Sequence, residues 1–263
     1  MFVDSHCHLE METFEKDMDK VIEKSTSEGL VCMLTVGTEE RYFRKVVEII
    51  DKYDNVYGAI GIHPHNSEAY NDEVAQTILE YLKHKKIVAY GEIGLDFFRN
   101  YSPITEQTKA FRSQLILARE AGLPVIIHSR NAQTETLSIL KDTYRDSASG
   151  VIHCYSYDLH TAKKLLDMGF YISFPGTITY TSSQALADIV KSVPMDRLLA
   201  ETDSPFLTPV PHRGKRNEPR FVKYTIAKIA QIKNKSIEEV ASNIYENFSR
   251  LFLKHPEIQG DNH

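Results

Sequence analysis

Little in this 263-residue chain suits a fibre, a disordered tail or a membrane anchor. It has 12 glycines, 10 prolines and no tryptophan, with 42% hydrophobic and 25% charged residues. That composition fits neither a glycine repeat nor an unfolded polyelectrolyte. No stretch reaches 18 apolar residues, and the opening MFVDSHCHLEMETFEKDMDK carries charges throughout, so neither a spanning helix nor an export leader is expected. Cysteine is scarce. Cys7, Cys32 and Cys154 are odd in number and far apart, which points to a reducing compartment, with the cytoplasm as the expected location. Net positive charge is also lacking: 31 basic against 36 acidic residues give a formal charge of -5. No global field holds a polyanion, so any nucleic-acid contact must be local.

What is present is alternation. Eight short apolar runs, near Met1–His6, Leu30–Val36, Val56–Ile62, Ile87–Ile93, Pro124–His128, Gly150–Cys154, Phe170–Phe174 and Arg197–Thr202, alternate with longer segments of helical period. Asp158 is positioned to cap a helix that carries Leu159, Ala162, Leu165 and Leu166 on one face. Ser236-Ile-Glu-Glu239 is a capping box. It opens a last helix with Ile237, Val240, Ile244, Leu251 and Phe252 near one stripe, expected to pack outside the main body. Eight strand-helix units in a chain of this length predict an α/β protein, a closed (β/α)8 barrel of the TIM type, with residues 1–263 as one domain. The rival is an open doubly wound sheet. Against it, the loop after the first strand reads SHCHLE rather than a glycine-rich phosphate turn.

In a parallel barrel the C-terminal strand ends form one rim, so residues distant in sequence meet in one cleft. His6-Cys7-His8 ends the first strand, where alternation sends His6 and His8 to one face and Cys7 to the other. Glu92 follows the fourth strand, His128 the fifth, His153 the sixth and Asp203 the eighth. Each alone has a plain explanation as a hydrogen-bonded histidine, a helix cap or an ion pair. Six on one rim would leave several buried groups to be satisfied individually, at about 1 to 3 kcal/mol each if unpaired. A metal centre satisfies them together. Six ligands exceed the four of a structural zinc site, and the two oxygens of Glu92 suit a bridge, so a binuclear catalytic centre is expected. Imidazoles suit Zn, Mn, Fe or Ni, and carboxylates also admit Mg.

VDSHCHL (3–9), GIHPH (61–65), GEIGLD (91–96), PVIIHSR (124–130), IHCYS (152–156) and ETDSPFLTPVPHRGKRNEP (201–219) resemble the TatD family of metal-dependent deoxyribonucleases, over nearly the whole chain. The resemblance implies an amidohydrolase-like barrel acting on DNA. It further implies that His6, His8 and Asp203 hold one metal ion, that His128 and His153 hold a second, and that Glu92 bridges the two. Broader relatives often bridge with a carbamylated lysine. Here the fourth strand ends YGEIGLD, without lysine.

His63 and His65 follow the third strand, with Pro64 interrupting simple alternation; His63 is expected beside the metals or facing phosphate. The loop His212 to Glu218 gathers Arg213, Lys215 and Arg216, and late loops of such barrels commonly bind phosphate. Arg130, two residues past His128, is a further phosphate candidate. Glu201 and Ser204 flank Asp203 and are candidates to orient water or substrate. Phe97, Phe98, Tyr155 and Phe206 lie just past strand ends, where a base can stack. The expected activity is hydrolysis of a DNA phosphodiester, with Asp203 as ligand and proton acceptor, Glu92 as bridge, and the cationic loop neutralising phosphate. Two alternatives stand beside it: an ester, lactone or amide hydrolase such as an aminoacyl-RNA deacylase, and a non-catalytic nucleic-acid-binding protein. No membrane and no protein partner are expected, and the chain is expected to be a monomer.

Overall fold

A computed structural model describes residues 1–144, 149–181 and 184–253. Its eight strands are β1 (Phe2–Cys7), β2 (Leu30–Gly37), β3 (Val56–Ile60), β4 (Ile87–Asp96), β5 (Val125–Arg130), β6 (Gly150–Ile152), β7 (Tyr171–Phe174) and β8 (Leu198–Ala200). They lie side by side in chain order, and every neighbouring pair is parallel. Between and after them come α1 (Met18–Ser27), α2 (Glu40–Lys52), α3 (Asp72–Tyr81), α4 (Ile104–Glu120), α5 (Gln133–Thr143), α6 (Leu159–Asp167), α7 (Gln184–Ser192), α8 (Val222–Lys233) and α9 (Ile237–Phe248). This is the expected (β/α)8 barrel. Buried apolar side chains from all eight strands and from the surrounding helices form one connected core, each large aliphatic contributing about 1.5 to 3 kcal/mol.

The first and last strands close the ring just beyond β8. Asp203 N–H donates to the His6 carbonyl at 2.9 Å, His8 N–H to the Ser204 carbonyl at 2.8 Å, and Cys7 pairs with Ser204. Asp4 reinforces the seam by accepting from Thr202 N–H at 2.8 Å and from its hydroxyl at 2.5 Å. Closure therefore fixes the two segments that carry His6, His8 and Asp203.

Local sequence explains the helix ends. The Asp158 carboxylate accepts from Thr161 N–H at 2.7 Å to start α6, and the Ser236 hydroxyl accepts from Glu239 N–H at 3.1 Å to start α9. Of the expected α9 stripe, Val240 and Ile244 are buried, whereas Ile237, on the first turn, is 40% exposed. Asn247 donates to the carbonyls of Met195 and Leu198, and Phe248 meets Tyr57 edge-on. Both contacts lie at strand beginnings, so α9 covers the end of the barrel opposite the rim.

Five strand ends differ from expectation by two or three residues, all at the rim. β4 runs on to Asp96 and β5 to Arg130, whereas β3, β6 and β8 stop at Ile60, Ile152 and Ala200, short of Ile62, Cys154 and Thr202. Cys154 and Asp203 have φ of 48° and 53°, which takes the chain out of extended geometry. Along β4, Gly91 pairs with Ile126 and Ile93 with Ile127, leaving Glu92 as an extra residue. Such a bulge re-aims a side chain, and here it belongs to the most central carboxylate of the molecule.

Candidate metal centre

The acidic residues and histidines at the start of the chain alternate: Asp4, His6, His8 and Glu10 are all at most 4% exposed. His6 Nε2 and His8 Nε2 come within 3.2 Å, while Cys7 turns away and donates its thiol to the Leu34 carbonyl. His8 Nδ1 faces two acceptors, the Val36 carbonyl at 2.9 Å and Glu10 Oε1 at 3.0 Å. The proton therefore resides on Nδ1, and in the neutral ring the Nε2 lone pair points toward His6 and Asp203, whose Oδ1 is 3.4 Å away.

A second pair of imidazoles follows the same logic. His128 Nε2 faces Asp96 Oδ2 at 3.1 Å, which leaves the Nδ1 lone pair facing Glu92 at 2.8 Å and His153 Nε2 at 3.4 Å. His153 presents Nε2 to Glu92 Oε1 at 2.8 Å and Nδ1 to Glu201 Oε1 at 3.4 Å. His6 and His153 are stacked at 4.1 Å between centroids. Glu92 stands at the centre. Its Oε2 is 3.3 Å from His6, and its Oε1 serves His128 and His153.

His63 plays a different part from the other rings. Its Nδ1 accepts from His65 N–H at 3.1 Å, so the neutral ring carries its proton on Nε2 and donates it toward Glu92 Oε1 at 3.3 Å. Burial pushes its pKa down to about 4, which keeps it neutral. His65 Nε2 lies 2.9 Å from Asp96 Oδ2.

The electrostatics are those of a charge cluster. Burial would raise the Glu92 carboxyl, but charge on His153 and hydrogen bonds from His128 and His153 hold it well below the usual range. Asp203 is likewise lowered, with His8 and His6 outweighing burial. Conversely, burial would lower His8, His128 and His153, yet Glu10 and Asp203 around His8, Asp96 and Glu92 around His128, and Glu92 and Glu201 around His153 raise all three.

Three clusters have donor atoms within 4.8 Å of one another: His6, His8 and Asp203; His6, His153 and Glu201; and His63, Glu92 and His128. The donor chemistry fits a divalent cation. Two tautomers are pinned from behind so that lone pairs converge, and His6 Nδ1, His153 Nδ1 and Glu201 Oε2 are buried without hydrogen-bond partners.

The six rim residues expected from the sequence are thus adjacent, whereas the expected phosphate contacts are dispersed. Arg216 forks onto Asp17 at 2.9 and 2.7 Å and also reaches Glu218 at 3.3 Å, so its charge is already offset. Arg213 lies over the Tyr180 ring at 4.4 Å. Lys215 is exposed. Asn217 ties this loop back by donating to the Thr202 and Phe206 carbonyls. Tyr155 is 2% exposed, with its hydroxyl on the Asp158 carbonyl at 2.6 Å; it is core, and no base can reach it. Asp96 and Glu10 were not anticipated. Their signal was spacing: Asp96 lies four residues after Glu92 along β4, and Glu10 two after His8 just past the end of β1.

Comparison with known proteins agrees with this geometry. The family model described as TatD related DNase matches residues 3–253. The chain is 41% identical over 252 residues to the uncharacterized metal-dependent hydrolase YabD of Bacillus subtilis (strain 168), covering 96% of this chain and 99% of that one. The 3'-5' ssDNA/RNA exonuclease TatD of Erwinia tasmaniensis is 34% identical over 245 residues, or 91% of this chain and 95% of the relative. Among solved structures, YJJV, a TatD homologue from Escherichia coli K12, superposes with a TM-score of 0.90 at 29% identity, over 97% of this chain and 98% of that one.

Proposed function

Because this chain belongs to the TatD-related DNase family and is a metal-dependent hydrolase, we propose that it cleaves phosphodiester bonds of DNA at a centre holding two divalent ions. The observation that carries the reading is the division of Glu92: one oxygen faces His6, the other faces His128 and His153. On this reading His6, His8 and Asp203 would hold one ion and His128 and His153 the other, with Glu92 placed to serve both. Zn, Mn, Fe, Ni and Mg all suit such a mixed imidazole and carboxylate set. When bound, the ions supply Lewis acidity and offset phosphate charge.

The chain's own groups do the rest. Asp203, the most solvent-open of the site carboxylates with 15% of its side chain exposed against 4% for Glu92, accepts the proton of the attacking water. His63 donates to Glu92 and keeps the carboxylate in its spanning orientation. Arg213, Lys215 and Arg130 meet phosphate, while Arg216 braces the loop through Asp17. The names of the family and of the Erwinia relative favour a phosphodiester over a carboxylic ester, lactone or amide, and favour turnover over binding alone.

The test is hydrolysis of an end-labelled DNA strand by protein stripped with a chelator and then reloaded with each metal. The account expects cleavage only after reloading, and its loss in Glu92→Ala. Equal cleavage by stripped protein would refute it.

A further inference from the structure

Among the described residues, the exposed aromatic rings are Phe98 at 53%, Tyr101 at 64% and Phe206 at 50%. Two of them meet imidazoles of the cluster, and the third is tied to it through Asp96. Tyr101 stands edge-on to His65 at 4.7 Å, Phe206 edge-on to His8 at 6.3 Å, and Phe98 sits on the turn that Asp96 holds. The Asp96 carboxylate is shared between two tasks. Its Oδ2 orients His128 and His65, whereas its Oδ1 accepts from the backbone N–H groups of Phe98 at 3.0 Å and Arg99 at 2.8 Å. Phe97 N–H completes the clamp by donating to the Arg130 carbonyl at 2.9 Å. These bonds fix the backbone of the turn from which the half-exposed Phe98 ring projects.

The ring also has company of one charge. The Arg130 guanidinium lies 4.0 Å from the Phe98 centroid and that of Arg99 5.6 Å away. Neither makes an ion pair with a described carboxylate, unlike Arg216 and Arg220. A half-exposed ring flanked by two unneutralised guanidinium groups, one carboxylate away from His128, matches a ligand with a flat aromatic face and an adjoining anion.

We propose that the Phe98 ring, backed by Arg130, is the stacking platform for the nucleobase beside the scissile phosphate. This rests on the phosphodiesterase reading above. Every base has a π face, so such a platform is tolerant of sequence.

The experiment compares the metal-loaded wild type, Phe98→Ala and Phe98→Trp on one labelled single strand and on the same strand with an abasic analogue placed in turn at each of its last four positions. Binding of the same strands to chelator-treated protein is followed by fluorescence anisotropy. For the wild type, one abasic position raises both KM and Kd by about tenfold. In Phe98→Ala the two strands become equal within about twofold, and Phe98→Trp restores the difference. Cleavage with the abasic penalty undiminished in Phe98→Ala, or with no penalty at any position in the wild type, overturns the platform alone. No cleavage of any strand by the loaded wild type overturns the phosphodiesterase reading and the platform with it.

Discussion

Asp96 Oδ2 lies 3.1 Å from His128 Nε2, on the far side of the ring from the nitrogen that faces Glu92. A carboxylate in that place fixes both the tautomer and the orientation of a metal-facing imidazole. Asp96→Asn keeps the volume and removes the charge, so divalent-metal affinity should fall about 10- to 100-fold. Competition against a chromophoric chelator measures this, and an affinity within twofold of wild type would remove Asp96 from the site.

Arg216 and Arg213 share a loop but should behave differently. Arg216 is paired with Asp17 across a partly exposed surface, a contact worth about 1 kcal/mol or less. Arg216→Ala should therefore lower Tm by a few degrees while leaving the salt dependence of DNA binding close to wild type. Arg213→Gln and Lys215→Gln should each reduce the slope of log K against log salt by about 1. A salt slope that moves with Arg216 instead would reverse this assignment.

Metal should stabilise the protein more at pH 8 than at pH 6. Without metal, His8, His128 and His153 have pKa values raised above the ordinary 6.5. A raised imidazole contributes stability fully below 6.5 and loses it as pH climbs through the folded value. His63, lowered to about 4, acts in the opposite direction but is one ring against three. Glu92 and Asp203, held below their ordinary 4.5 and 3.8, contribute above those values and lose that contribution as pH falls through the folded ones. The cluster's own contribution therefore peaks on the mildly acidic side and fades toward pH 8, where cations replace the lost protons. Thermal denaturation with and without metal at the two pH values checks the sign; a larger metal-induced rise at pH 6 contradicts it.

Gly94 lets β4 and β5 approach. Its φ is +142°, and a Cβ there would lie 1.9 Å from the His128 carbonyl oxygen, so either the backbone of β5 moves or the chain does not pair. Gly94→Ala should cost roughly 3 kcal/mol or more, seen as a large Tm loss or insoluble protein. A Tm within about two degrees of wild type would mean that β5 yields easily at His128.

Much of this was legible in the sequence because a barrel converts strand ends into neighbours. His6, His8, Glu92, His128, His153 and Asp203 are separated by up to 197 residues, yet each follows an apolar run, and that single regularity brings them to one rim. The bulge at Glu92 was not legible, since it depends on how β4 registers against β5 rather than on β4 itself. Nor was the neutralisation of Arg216, whose partner Asp17 lies 199 residues earlier; three cations in seven residues look alike until distant carboxylates are placed. The positive φ of Cys154 and Asp203 ended two strands early for a similar reason, because closure and the Glu201 carboxylate, which accepts from Cys154 N–H at 2.6 Å, hold those turns. Asp96 and Glu10 were within reach of the alternation rule, but their task is visible only once the imidazoles in front of them are oriented.

The central claim is that Glu92 joins two sets of imidazoles around divalent ions, and metal stoichiometry tests it most directly. Wild type and Glu92→Ala should be stripped with a chelator, reloaded with Zn or Mn, freed of excess metal and measured by elemental analysis beside a circular dichroism spectrum that confirms the fold. The account predicts two ions per wild-type chain and one or fewer in the folded variant. Two ions retained by Glu92→Ala, or none held by the wild type, would contradict it.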